Sequence, residues 1–328
     1  MSKIENRQPQ AGPPEAEKSK IRIAIIGPGG IGCLFAGLLA EAGHDVCLVD
    51  RRPDRAALIT REGLIIESNG GLRKVPLRAF AYPADIGQVE LITLCVKSHE
   101  TAGTIPSVRA LSGPGTSVLS LQNGLGNLEA IERIVGSRDL FAGITTMGAT
   151  VIGLNHIRHA GTGSTFIGPL GNNNAGAEKL TKMLSKAGLE AAATVDTMGM
   201  LWSKLVINAA ICPVSTLANL PNGELVKNDK WRALLGRAAK EAGAVAAAKG
   251  IKLLFDDPAK AVLEVCDKTA ANISSMLQDV RRGRKTEIMA INGVILSAAA
   301  ELGMAAPANA MLCKNVLELE GRSEYKCP

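Results

Sequence analysis

Lys204 and Asn208 stand four residues apart in a stretch whose intervening members, Leu205, Val206 and Ile207, are apolar. On a helix that spacing stacks the two polar side chains on one face. An ammonium group among apolar neighbours is costly unless it is paired or neutralised, so Lys204 either lines a cleft or snorkels along the helix to solvent. In a cleft its pKa falls toward the range where it can give a proton to a developing alkoxide. A second polar run, 272–287, holds Ser275 and Glu287, too far apart to meet along one helix but able to share a cleft through a helical hairpin. Glu287 there either hydrogen-bonds a substrate hydroxyl or favours the first turn of its own helix through the dipole. Arg281, Arg282, Arg284 and Lys285 read mostly as a solvated turn between helices, with contact of any one to an anionic cofactor as the alternative. Lys97 follows the apolar run 91–96, and Asn123 lies in Gln122-Asn123-Gly124 after the run 117–121. Residues just past the carboxyl end of a parallel strand face the ligand crevice. The alternatives are a surface lysine capping a strand, and a turn residue tolerating positive φ.

The partner for such chemistry is legible near the N-terminus. Gly27-Pro28-Gly29-Gly30-Ile31-Gly32 separates the apolar run 21–26 from a helical stretch, 33–42. Gly27, Gly29 and Gly32 fit G-x-G-x-x-G: a tight turn, close backbone approach to a pyrophosphate, and helix-on-strand packing. The helix that follows points its positive end at the phosphates. Gly43-His44-Asp45 then leads into a second apolar strand ending at Asp50, 23 positions after the first glycine, where a dinucleotide's ribose is read. Asp50 would accept a hydrogen bond from a ribose 2′-hydroxyl and favour NAD, whereas Arg51, Arg52 or Arg55 could clamp a 2′-phosphate and favour NADP. Both signals are present.

These residues imply a two-domain α/β protein: a Rossmann-type dinucleotide-binding domain over 21–194 followed by an all-helical domain over 195–328. Residues 1–20 are polar and read as a disordered tail. In the first domain, 64–68 and 73–81 read as a hairpin around Asn69-Gly70-Gly71, and 141–151 and 164–168 as further strands. His156 and His159 fall in the connection between the last two and lack any partner at metal-ligand spacing, so they read as exposed loop histidines and no metal is expected. The second domain reads as helices over 199–220, 230–249, 258–282, 286–302 and 307–320. A net charge of +6 on 328 residues, with only two Trp, two Tyr and five Phe, speaks against a nucleic-acid partner and for an anionic small molecule. Seven cysteines without a C-x-x-C pair suit a reducing cytoplasm. The apolar segment near the N-terminus is broken by glycines, unlike a signal sequence, and no other run reaches membrane-spanning length.

Taken together, the chain resembles the ketopantoate reductase (2-dehydropantoate 2-reductase) family from Ile21 to about Glu320. The resemblance rests on the glycine turn, Val96-Lys97, Gln122-Asn123-Gly124, Trp202-Ser203-Lys204-Leu205 with Asn208, Pro221-Asn222-Gly223-Glu224-Leu225, the run 272–287 and Ile291-Asn292-Gly293. It implies a cytoplasmic enzyme of pantothenate biosynthesis that passes a hydride from NADPH to the keto carbon of a small branched 2-oxo acid, with a homodimer as an allowed assembly. Lys204 then matches the general acid and Glu287 the group orienting it. Asn208, Cys212, Asn272 and Ser275 match substrate-binding positions, with Ser275 toward the carboxylate. Gly27, Gly29, Gly30, Ile31, Gly32, Asp50, Arg51, Lys97 and Asn123 match the cofactor side, with Arg51 on the 2′-phosphate. Two departures matter. Asp50 precedes Arg51 and leaves NAD(H) open, and Cys212 replaces an asparagine that often contacts substrate, although a thiol is a weak hydrogen-bond partner. A same-fold reductase of another 2-oxo acid and a non-catalytic NAD(P)-binding sensor are the competing readings.

Overall fold

The computed structural model describes residues 20–321, so the expected tail lies, apart from Lys20, outside the described residues. Twelve strands are described: β1 (Arg22–Ile26), β2 (Asp45–Val49), β3 (Leu64–Ser68), β4 (Gly71–Val75), β5 (Arg78–Phe80), β6 (Leu91–Leu94), β7 (Ser117–Ser120), β8 (Leu140–Thr145), β9 (Gly148–Gly153), β10 (His156–Gly161), β11 (Ser164–Pro169) and β12 (Glu190–Ala193). Eight of them form one sheet in the order β12-β11-β8-β7-β6-β1-β2-β5. From β5 to β8 the strands run parallel, and β11 pairs antiparallel with β8. Because the chain builds outward from β1 in both directions, the order reverses between β1 and β6. That switch point opens a crevice at the carboxyl ends of the strands.

Helix α1 (Gly30–Glu41) joins β1 to β2 and is buried almost all round, with Leu34 and Phe35 wholly inaccessible and Leu39 nearly so. A helix apolar on every side needs cover on every side. The cover comes from a second sheet, order β4-β3-β10-β9, whose Leu64, Ile66 and Ile157 share one core with α1 and the main sheet. Each of those large side chains contributes about 1.5–3 kcal/mol by burial. The remaining helices of this half are α2 (Pro53–Glu62), α3 (Thr101–Leu111), α4 (Leu128–Val135) and α5 (Asn174–Lys186).

The helical half centres on α6 (Thr197–Ala218), capped by the Asp196 carboxylate on the Gly199 amide and packed against α8 (Asp229–Ala248). Around them lie α7 (Asn222–Val226), α9 (Pro258–Lys268), α10 (Ser275–Arg281), a π-helical turn (Met289–Gly293), α11 (Val294–Glu301) and α12 (Pro307–Leu319). Contrary to the expectation that no apolar run reaches membrane-spanning length, α6 is long and apolar enough to cross a bilayer. Its most apolar window is 78% buried inside the fold, the position of a core helix.

Four local expectations are corrected. The hairpin 64–81 ends at Val75, because Pro76 cannot donate to the ladder, and Arg78–Phe80 joins the main sheet beside β2. The run 141–151 is two strands in two sheets, β8 and β9. His156 and His159 lie on β10, half buried, with His156 Nε2 3.5 Å from Glu67. The helix expected over 258–282 breaks after Lys268, where the Ala270 and Asn272 carbonyls accept the Gly223 and Asn222 amides, and Ser274 caps a new helix through the Leu277 amide.

Candidate active site

The glycine turn is built as a cradle. Gly27 has φ of +98°, and a Cβ there would lie 2.6 Å from the Val96 amide, so only glycine lets β1 and the end of β6 approach this closely. A Cβ on Gly30 would overlap the Ala149 carbonyl, and one on Gly32 the Gly27 carbonyl. Gly29 differs: a Cβ there would meet nothing within 4 Å of the protein. No side chain caps α1, whose first-turn amides are left for an anion. Gly29 thus faces open space in front of free amides, which fits a dinucleotide pyrophosphate. Ile31 is half buried in the first turn of α1.

At the end of β2 the two cofactor signals sort themselves by burial. Asp50 is 3% exposed, its Oδ1 accepting the Arg52 amide at 3.1 Å and its Oδ2 the Arg55 guanidinium at 3.0 Å. Arg55 is equally buried, so the expectation that it could clamp a 2′-phosphate is corrected: Asp50 and the Leu154 carbonyl already hold it. Arg51 instead extends outward, with an 84% exposed side chain whose Nη1 pairs with Glu100 at 2.9 Å. Since β1 lies between β2 and β6, that ion pair crosses the mouth of the crevice.

Past β6, Lys97 enters a charged cluster rather than solvent. Its Nζ lies 2.6 Å from Asp279 and 3.4 Å from Glu287, joining the Rossmann half to the helical half. Glu287 is 5% exposed, and its Oε1 accepts the Ser98 amide while Oε2 accepts the Asn123 amide nitrogen. Its side chain therefore turns away from the helix it precedes, and the dipole alternative gives way. Asn123 keeps negative φ; the left-handed position belongs to Gly124, which packs against the Ala290 carbonyl. Burial pulls the Lys97 pKa down, but Glu287 and Asp279 outweigh it and hold the ammonium above its ordinary value. With one cation between two carboxylates, burial and the Glu287 charge push the Asp279 carboxyl up despite Lys97.

Lys204 lies on α6 facing the end of β8, its Nζ donating to the Thr145 carbonyl at 2.8 Å. It is half buried, and its ammonium is tied to that carbonyl, so the snorkelling alternative gives way. Desolvation lowers its pKa from 10.5 to about 8, opposed by the nearby Cys212 and Glu287. Cys212, two turns further along α6, is buried within electrostatic reach of Glu287, Lys97, Lys204 and Asp279, and its thiol is pushed up to about 12. Asn208 is half buried between them, whereas Asn272 and Ser275 are exposed on the segment entering α10. The structure thus gathers Lys97, Asn123, Cys212, Glu287 and Lys204 at one place. Sequence reasoning missed Asp279, although its four-residue spacing from Ser275 was a usable signal, and missed the Thr145 carbonyl and the Ser98 amide, for which backbone groups give none.

The family model for ketopantoate reductase PanE/ApbA matches residues 23–172, and that for its C-terminal domain matches 196–320. The chain belongs to the ketopantoate reductase family. It is 36% identical to a 2-dehydropantoate 2-reductase of Pyrococcus horikoshii over 89% of this chain and 95% of the relative. Its fold superposes on a PanE/ApbA family ketopantoate reductase from Ralstonia eutropha with TM-score 0.84 and 31% identity, covering 93% of this chain and all of the other. A D-mandelate dehydrogenase solved with NADH and anilino(oxo)acetate gives TM-score 0.85 at 28% identity, covering 92% of this chain and 98% of the other. Membership of the ketopantoate reductase family makes the chain a NAD(P)-dependent oxidoreductase of the 2-dehydropantoate 2-reductase type.

Proposed function

We propose that this protein reduces 2-dehydropantoate to pantoate with NADPH, on the route to pantothenate and coenzyme A, and that Lys204 is the general acid. The observation that carries the reading is the half-buried Lys204 ammonium, with a pKa of about 8, held at the end of β8 within electrostatic reach of Glu287. The reduced nicotinamide, when bound, supplies the hydride. Lys204 is then mostly protonated at neutral pH and gives its proton to the carbonyl oxygen as charge develops there. Glu287, anchored by Lys97, Asn123 and the Ser98 amide, lies near enough to Lys204 to raise its pKa and so to favour the ammonium. Asn208 and Asn272 contact the substrate, and Ser275 takes its carboxylate. Asp50, neutralised by Arg55, and the reachable Arg51 favour NADPH over NADH. None of the six described cysteines forms a disulfide, which supports a cytoplasmic setting. A homodimer is its proposed assembly.

A second reading has a specific observation in its favour. Cys212 places a buried thiol, a weak hydrogen-bond partner, within electrostatic reach of Lys204 and Glu287, which suits a 2-oxo acid with a more apolar substituent. The test offers the purified protein 2-dehydropantoate and a series of other 2-oxo acids, aryl ones included, with NADPH and NADH in parallel, following cofactor oxidation. Preferential turnover of 2-dehydropantoate with NADPH is expected. Preference for an apolar or aryl 2-oxo acid selects the second reading, and no oxidation with any pair defeats both.

A further inference from the structure

Asp50 would be an odd residue to place at the ribose of a 2′-phosphorylated dinucleotide, since two anions would share one corner of the crevice. The strand register puts it there: Val49 pairs with Ile26, so Asp50 lies alongside Gly27 and the glycine turn. Its carboxylate, however, is turned inward and spent on protein donors, the Arg52 amide and the Arg55 guanidinium. Arg55 is itself fixed from three sides. Its Nη1 holds Asp50 at 3.0 Å, its Nε donates to the Leu154 carbonyl at 2.6 Å in the turn between β9 and β10, and its Nη2 lies 3.7 Å from the Cys33 sulfur on α1. With a 7% exposed side chain it cannot swing out to a ligand.

We propose that Arg55 is a positioning residue for cofactor choice. By neutralising Asp50 and holding it inward, Arg55 converts a corner that would read a ribose 2′-hydroxyl into one that tolerates a 2′-phosphate, leaving the exposed Arg51 to meet the phosphate. The inference rests on the NADPH reading above and says how that preference survives an aspartate at this position. An unpaired buried carboxylate repels a neighbouring dianion strongly where water is scarce, and one freed to turn outward also accepts the 2′-hydroxyl of NAD. Loss of Arg55 therefore acts on the two cofactors in opposite directions.

The experiment is calorimetric titration of the full-length chain with NADP⁺ and with NAD⁺, without substrate, giving the ratio of their affinities for wild type, Arg55→Gln, Arg55→Lys and the double variant Asp50→Asn/Arg55→Gln. Relative to wild type, Arg55→Gln is expected to shift the ratio toward NAD⁺ by about tenfold. Arg55→Lys, which keeps the charge, and the double variant, which removes both charges, are expected to return it to near the wild-type value. A merely structural role for Arg55 would weaken both cofactors together and would not be rescued by Asp50→Asn. An unchanged ratio in Arg55→Gln, or a ratio as low in the double variant as in the single one, overturns the proposal. Should Arg55→Gln not fold, Arg55→Met replaces it in the single and double variants. The wild-type ratio by itself tests the NADPH reading, so preference for NAD⁺ there refutes that reading separately from the change caused by Arg55.

Discussion

Lys204 offers the sharpest quantitative test, because desolvation sets its pKa to about 8 where an exposed lysine would titrate near 10.5. A general acid must carry its proton to work, so reduction is expected to be independent of pH below about 8 and to fall about tenfold per pH unit above it. By about pH 10 only about one hundredth of the plateau rate remains, whereas an ordinary lysine would still keep about three quarters. The assay is the single-turnover loss of reduced-nicotinamide absorbance at saturating cofactor and substrate, so that chemistry and not product release is observed. Lys204→Ala is expected to lose about 10²–10⁴ of the rate and, with it, the break in the profile. Glu287→Gln removes a negative charge that raises the Lys204 pKa, so its break moves to lower pH. A wild-type break near 10.5, or a Lys204→Ala protein with the same break and a comparable rate, would refute the assignment of the acid.

Three further outcomes follow from local geometry. Gly29→Ala is expected to fold with unchanged thermal stability, since its φ of −74° suits any residue and its Cβ meets no protein atom, yet to bind the dinucleotide at least about tenfold more weakly by calorimetry. Unaltered affinity would show that no pyrophosphate approaches that backbone. Arg51→Ala should weaken NADP⁺ by about tenfold while sparing NAD⁺, and an equal effect on both would remove Arg51 from phosphate reading. Glu241 accepts the Ala308 and Asn309 amides and the Asn309 side chain, so Glu241→Ala should cost about 1–3 kcal/mol in urea unfolding through the loosened start of α12; an unchanged midpoint would show that water replaces it fully.

Order along the chain and residue chemistry were enough to recognise the strand, glycine turn and helix around residues 22–41, because hydrophobic period and glycine spacing are local properties. The succession of helices after residue 196 was legible for the same reason. What escaped was long-range. Nothing local distinguishes β4 from β5, or β8 from β9, as members of different sheets; the partner strand decides, and with it the fate of His156 and His159. The break between α9 and α10 depends on two carbonyls accepting amides from residues some fifty positions earlier. At the site, composition named Lys204, Glu287, Lys97 and Asn123 one by one, but only folding places Lys97 against Asp279 and Glu287, 182 and 190 residues away. The pKa of Lys204 is likewise a tertiary property, because desolvation depends on what packs around α6 and not on its neighbours in the chain. Asp50 shows the division most plainly. Its type and position spoke for one cofactor, while only the fold turns its carboxylate inward against the Arg55 guanidinium, 3.0 Å away.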